Sequence, residues 1–119
     1  MLNPSIDELL KNVKNPNTIY QWRRKYVREN KKNLCPTLTA NMGTGGNNVP
    51  IVIVNDRIRK LTPKECFLFQ GFDKDFLLPD DLSDYALWKQ AGNSVSVPVI
   101  YEIAKNIKGC LESGDKRVY

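Results

Sequence analysis

Gln90-Ala91-Gly92-Asn93-Ser94-Val95-Ser96-Val97-Pro98-Val99 places a helix stop, a tight turn and a helix restart within ten residues. Upstream, Ser83-Asp84-Tyr85-Ala86-Leu87-Trp88-Lys89 predicts a short helix, with Ser83 as N-cap and Asp84 favourable at the positive helix end. Gly92 then reads as its left-handed stop. Downstream, Pro98 fits the first turn of a new helix that carries Ile100, Ile103, Ala104, Ile107 and Leu111 on one face. That face must pack on something. Asn93 and Ser94 sit between the helices beside a glycine that permits close backbone approach, a layout suited to ligand contact.

The chain has 119 residues, 41% hydrophobic and 26% charged, which allows one modest domain with a small core. No run approaches the roughly 18 apolar residues of a membrane span. Met1-Leu2-Asn3-Pro4 lacks the basic and apolar regions of a signal peptide, so the expected location is cytoplasmic and no membrane partner is expected. Cys35, Cys66 and Cys110 match no zinc pattern and read as reduced thiols, and no metal site is expected. The chain contains no histidine. Chemistry that needs an imidazole base must therefore come from another chain.

The net charge of +5 lies entirely in residues 1–50, where eight Lys/Arg face three acidic residues; residues 51–119 are balanced, with ten of each. Arg23, Arg24, Lys25, Arg28, Lys31 and Lys32 cluster there, with Trp22 and Tyr26 interleaved. That composition fits a surface facing nucleic-acid phosphates, and equally a solvated charged hairpin.

Ser5 to Lys11 predicts a brief helix, with Glu8 in capping-box position to Ser5, ending near Asn15-Pro16-Asn17. Thr18 to Val27 is rich in β-branched and aromatic residues and predicts a strand. Lys31-Lys32-Asn33 follows as a turn, and Cys35 to Ala40 as the return arm of a hairpin. Met42-Gly43-Thr44-Gly45-Gly46-Asn47-Asn48 is expected to form no regular element. It lacks the terminal lysine and Ser/Thr of a P-loop and the spacing of a Rossmann turn. Its glycines suit either a loop lying against a DNA backbone or base edge, or a mobile connection.

Val49 to Asp56 predicts a buried strand, an Asn-Asp turn and a second strand through Leu61. Thr62-Pro63-Lys64-Glu65 supplies an N-cap, an N1 proline and an N3 glutamate, so residues 62–70 should be helical, stopped by Gly71-Phe72. Phe67, Leu68, Phe72 and Leu77 are the expected core contributors here. The fold class that results is α+β. A small, irregular, strand-rich part is followed by three helices near 62–70, 84–91 and 97–112. Three segments follow from this reading: an N-terminal extension over 1–17, a DNA-recognition part over 18–61 and a helical part over 62–119.

Arg59-Lys60-Leu61-Thr62-Pro63-Lys64-Glu65-Cys66-Phe67-Leu68-Phe69-Gln70-Gly71-Phe72 is similar to the penultimate signature block of the DNA (cytosine-5) methyltransferases. Gln90 to Val99 resembles their final block. Cys35 to Gly46, with its Thr37-Leu38 pair, resembles the target-recognition region of bacterial modification methylases of this family. The resemblance covers roughly residues 18–112 and implies the C-terminal part of a two-domain enzyme. Such enzymes transfer a methyl group from S-adenosylmethionine to carbon 5 of a cytosine flipped out of double-stranded DNA.

On that resemblance Gly92, Asn93, Ser94 and Val95 lie beside the cofactor. Arg23, Arg24, Lys25 and Arg28 would face phosphates, and Thr37, Thr39, Gly43, Gly45 and Gly46 would lie near base edges. Ser96 departs from a position that is often proline. The family's catalytic Pro-Cys dipeptide, its Glu-Asn-Val block and its cofactor glycine turn do not occur in this sequence, and Cys35 precedes its proline instead of following it. The expectation is therefore that the chain alone is inactive and works with a complementary methyltransferase subunit carrying the catalytic half. Met1 followed by a capped helix points to a true start. A stand-alone DNA-binding module and a truncated, non-functional remnant are the alternatives.

Overall fold

A computed structural model describes residues 6–23, 26–32, 34–44 and 48–114. The order is α1 (Ile6–Asn12), β1 (Tyr20–Arg23), β2 (Tyr26–Glu29), a 3-10 turn (Ala40–Gly43), β3 (Ile51–Val54), β4 (Arg57–Lys60), α2 (Pro63–Phe69), α3 (Asp84–Asn93) and α4 (Val97–Ser113). The fold is α+β, as the residue patterns require. The sheet is antiparallel with order β2-β1-β3-β4. It consists of two tight hairpins joined at one residue pair, Tyr20 with Ile51.

The first hairpin differs from the sequence expectation. Thr18 to Val27 is not one strand: β1 and β2 pair antiparallel with Arg23 opposite Tyr26, so the direction has already reversed by Tyr26. This register puts Tyr20, Trp22 and Val27 on one face, where they pack with Val13, Leu9 and Ile51. Burying Tyr20 and Trp22, with the half-buried Val27 packed beside them, outweighs the polar turn signal at 31–33. Residues 34–39 form no strand. Pro36 has no N–H for a ladder, and Leu38 instead drives this segment into a second core. Met42 and Gly43, expected to be irregular, close the 3-10 turn, with Met42 fully buried. The Ser5 cap and Asn33 lie outside the described residues.

Helix α1 ends because the buried Tyr20 hydroxyl accepts the N–H of Asn15 at 2.9 Å, and Asn15 Oδ1 accepts that of Asn17 at 2.9 Å. The β3–β4 turn is the expected Asn55-Asp56 pair, with φ of 50° and 59° at the two positions. Those angles identify a two-residue primed turn matched to strand twist. The capping box of α2 is complete: Thr62 Oγ1 accepts the Glu65 N–H at 3.2 Å and Glu65 Oε2 accepts the Thr62 N–H at 2.8 Å. Gly71, with φ of 86°, ends α2. The N–H groups of Gly71 and Phe72 return to Leu68 and Phe67, and the Phe67 and Phe72 rings meet edge to face at 5.1 Å.

The second core joins Leu38, Met42, Val49 and Leu61 to Cys66, Phe67, Trp88 and Ala91. Trp88 Nε1 donates to Leu61 O at 3.0 Å, tying α3 to the end of β4. Phe67 is buried and Phe72 packs against this core, as expected, but Leu68 and Leu77 are exposed. Leu78 takes the inward position that Leu77 was expected to fill. Helix α4 has no buried residue. The molecule measures 61 × 34 × 28 Å, and a helix of this length contributes about 25 Å.

Candidate DNA interface and cofactor-side turn

The β1–β2 register sorts the basic cluster. Cross-strand partners share a face, so Gln21, Arg23, Tyr26 and Arg28 lie together on the side opposite Tyr20 and Trp22. Arg23 and Arg28 are exposed, and Tyr26 is 62% exposed between them. Neither arginine has a salt-bridge partner among the described residues. Trp22 belongs to the core and not to this surface. Arg24 and Lys25 lie outside the described residues.

Gln21, which the sequence did not single out, is buried. Its Nε2 donates to Asn48 O at 3.3 Å, while its Oε1 is buried without a hydrogen-bond partner among the described residues. A polar residue alternating between Tyr20 and Trp22 was the available signal. In the Thr-Leu segment, buried Leu38 is the anchor, leaving Thr37 exposed and Thr39 half-buried. Thr39 O accepts the Met42 N–H at 3.1 Å, and Gly43 ends the 3-10 turn. Gly45 and Gly46 lie outside the described residues.

The turn between α3 and α4 corrects one sequence expectation. Gly92 does not stop α3 in a left-handed conformation; it is the penultimate residue of a helix that runs through Asn93. Glycine is required there by space. A Cβ at Gly92 would lie 2.1 Å from both C and O of Thr39 and 2.5 Å from the N of Ala40.

The turn itself is closed by Ser94, whose Oγ donates to Ala91 O at 2.6 Å and whose N–H donates to the same oxygen at 3.3 Å. A third donor, Gln70 Nε2, reaches Ala91 O at 3.1 Å, while Gln70 O accepts the Val97 N–H at 2.8 Å. Gln70 thus fastens both ends of the turn, a role marked in sequence only by a polar residue just before the Gly71 stop. Asn93 and Val95 are exposed, and the Asn93 side chain makes no hydrogen bond among the described residues. The turn therefore offers an uncommitted carboxamide next to an apolar side chain.

At the start of α2, Arg59 donates two 2.8 Å hydrogen bonds to Glu65, which also accepts the Thr62 N–H. The Arg59 guanidinium, more than the capping contacts, holds the Glu65 carboxyl down at about 2. Burial pushes the Cys35 thiol up to about 11 and the Cys66 thiol to about 12. Both are thiols and not thiolates at neutral pH, which makes them poor nucleophiles. No group of His, Cys, Asp and Glu suited to a metal ion occurs among the described residues.

Residues 3–109 match the sequence profile of the C-5 cytosine-specific DNA methylase family. The chain belongs to the C-5 cytosine-specific DNA methylases. It is 71% identical over 90 residues to the Type II methyltransferase M.Bsp6I of Bacillus sp. (strain RFL6), covering 76% of this chain and 28% of that protein. It is 42% identical over 77 residues to the Type II methyltransferase M.SsoII of Shigella sonnei, covering 65% of this chain and 20% of the other. With the Type II methyltransferase M1.ScrFI of Lactococcus lactis subsp. cremoris, identity is 39% over 80 residues, 67% of this chain and 20% of the other. The chain thus spans less than a third of the length of these methylases. No solved structure matches it. Among the described residues, no helix is long and apolar enough to cross a membrane.

Proposed function

We propose that this chain is the DNA-recognition and cofactor-side C-terminal portion of an S-adenosylmethionine-dependent DNA cytosine-5 methyltransferase of the restriction-modification type. It acts on double-stranded DNA together with a complementary methyltransferase subunit that carries the catalytic half. The observation that carries this reading is α4. Val99, Ile100, Ile103, Ile107 and Leu111 are all at least 45% exposed on a helix whose pattern demands a partner. The complementary half would cover them.

Each part has its task in this reading. Arg23 and Arg28 offset phosphate charge, and Thr37 and Thr39 approach base edges from a segment anchored by Leu38. The uncommitted Asn93 carboxamide and exposed Val95 fit one wall of an S-adenosylmethionine site, and Ser94 and Gln70 hold that wall in place. The cofactor, when bound, supplies the electrophilic methyl group. Cytosine carbon 5 becomes nucleophilic only after a thiolate adds at carbon 6. The buried Cys35 and Cys66 thiols do not fit that need, and in this reading the nucleophile comes from the complementary half.

Labelled S-adenosylmethionine incubated with purified chain and cytosine-containing duplex tests this. The expected result is no incorporation by the chain alone and incorporation once the catalytic half is supplied. Robust incorporation by the chain alone overturns the proposal. Arg23 and Arg28, without ion-pair partners among the described residues, support a second reading, a stand-alone DNA-binding module, which predicts a well-behaved monomer that binds duplex DNA without any partner.

A further inference from the structure

The Gly92 contact joins two parts of the molecule that the proposed function uses separately. On one side is the Thr37–Gly43 segment, on the other the turn that carries Asn93 and Val95. Where they touch, the contact is backbone against backbone: a Cβ on Gly92 would sit 2.1 Å from Thr39 C and O and 2.5 Å from Ala40 N. No rotamer change can absorb a displacement there, because no side chain lies between the two.

Neither side of the contact is free to give. Thr39 O is held by the Met42 N–H, and Leu38 and Met42 are both buried in the second core. Behind Gly92, the fully buried Ala91 presents a carbonyl that collects donors from Ser94 N–H, Ser94 Oγ and Gln70 Nε2. A continuous set of short contacts therefore leads from Thr39 through Gly92 and the Ala91 carbonyl to Ser94, which Val95 follows in the chain.

We propose that Gly92 is a positioning residue that couples the DNA-reading segment to the cofactor-side turn, so that duplex DNA docking on residues 37–43 shifts the turn at 93–95. This rests on the reading of residues 37–43 as DNA-facing. Coupling of this kind is reciprocal: whatever DNA does to the affinity of the turn for its ligand, that ligand does to the affinity for DNA.

The full chain, isotope-labelled and titrated with a short mixed-sequence cytosine-containing duplex, tests it through backbone amide resonances. In the wild type, the amides of Asn93, Ser94 and Val95 should shift with the same midpoint as those of Thr37 to Met42. Gly92→Ala should abolish the response at 93–95 while the response at Arg23 and Arg28 persists. Gly109→Ala is the matched control, since a Cβ at Gly109 meets nothing within 4 Å. It should leave the transmitted shift intact. If residues 37–42 respond to DNA and 93–95 do not, the coupling is wrong and the DNA reading survives. If no amide responds at all, the DNA reading falls and the coupling falls with it. The wild-type comparison decides the matter even if Gly92→Ala fails to fold.

Discussion

Ile103→Asp separates the role of α4 in the free chain from its role in an assembled enzyme. Ile103 is 50% exposed, and no residue of its helix is buried. The surface it still offers is roughly 90 Å², worth about 2 kcal/mol on burial. Together Val99, Ile100, Ile103, Ile107 and Leu111 offer on the order of 500 Å², about 12 kcal/mol gross, against an association cost of about 4–15 kcal/mol. Gain and cost are of the same order, so one residue can decide assembly. An aspartate would lose the ~2 kcal/mol and also leave a carboxylate in an apolar interface, weakening assembly by at least about 3 kcal/mol, or a hundredfold. In the free chain the same change should cost only a few tenths of a kcal/mol, since it alters helix propensity and little packing. Calorimetry of the free chain and titration against the catalytic half give the two readings. If Ile103→Asp lowers the Tm of the free chain as far as a core substitution does, or leaves assembly intact, the reasoning about α4 is refuted.

Arg28→Ala should weaken binding to every duplex sequence and lower the slope of log K against log salt by about 0.9, as fluorescence anisotropy across a salt series would show. An unchanged slope would return the basic face to a purely solvated role. Asn93→Ala should raise the KM for S-adenosylmethionine in the assembled enzyme by about 2- to 13-fold, the equivalent of one lost hydrogen bond. Its Tm should not change, because the exposed amide bonds nothing among the described residues; a lower Tm with unchanged kinetics would make Asn93 structural. The Glu65 carboxyl, held at about 2 by Arg59, is charged more readily in the folded chain than in the unfolded one. Its contribution is thus full above about pH 5 and lost as the pH falls through about 2. Urea midpoints of wild type and Glu65→Gln should converge over that window, and a constant difference would rule out this source.

Local chemistry made most of the helices and the second hairpin legible. The Thr62-Pro63-Lys64-Glu65 run names its own cap, and Asn55-Asp56 accepts the positive φ that a two-residue turn demands. What the sequence hid was tertiary. Two readings of residues 18–40 satisfied the same β-propensity. Only the sharing of one core by Tyr20, Trp22 and Val27 chooses the pairing of Arg23 with Tyr26 over a hairpin that turns at 31–33. Gly92 was misread for a related reason: a glycine near a helix end serves equally as a left-handed stop or as room for a neighbouring backbone. Nothing in residues 90–96 announces that Thr39 is that neighbour. Gln70 was hidden because its partners, Ala91 and Val97, lie more than twenty residues away.

The two cores give the candidate site its mechanical character. The arginine face rests on the first core, where Val13, Tyr20, Trp22 and Ile51 hold the β1–β2 hairpin. Thr37 and Thr39 rest on the second, in which Leu38 and Met42 pack with Phe67, Trp88 and Ala91. The turn at 93–95, proposed to face the cofactor, hangs from this same second core through Ala91, while Arg23 and Arg28 do not. Strand β3 is what the two share, with Ile51 and Ile53 turned to the first core and Val52 to the second. Because β1 meets β3 at a single residue pair, a hairpin that faces DNA as proposed would adjust to the backbone with little strain on the second core. A segment that reads bases has the opposite need. It must move together with the chemistry it licenses, and sharing a close-packed core with the turn at 93–95 makes a displacement of one a displacement of the other.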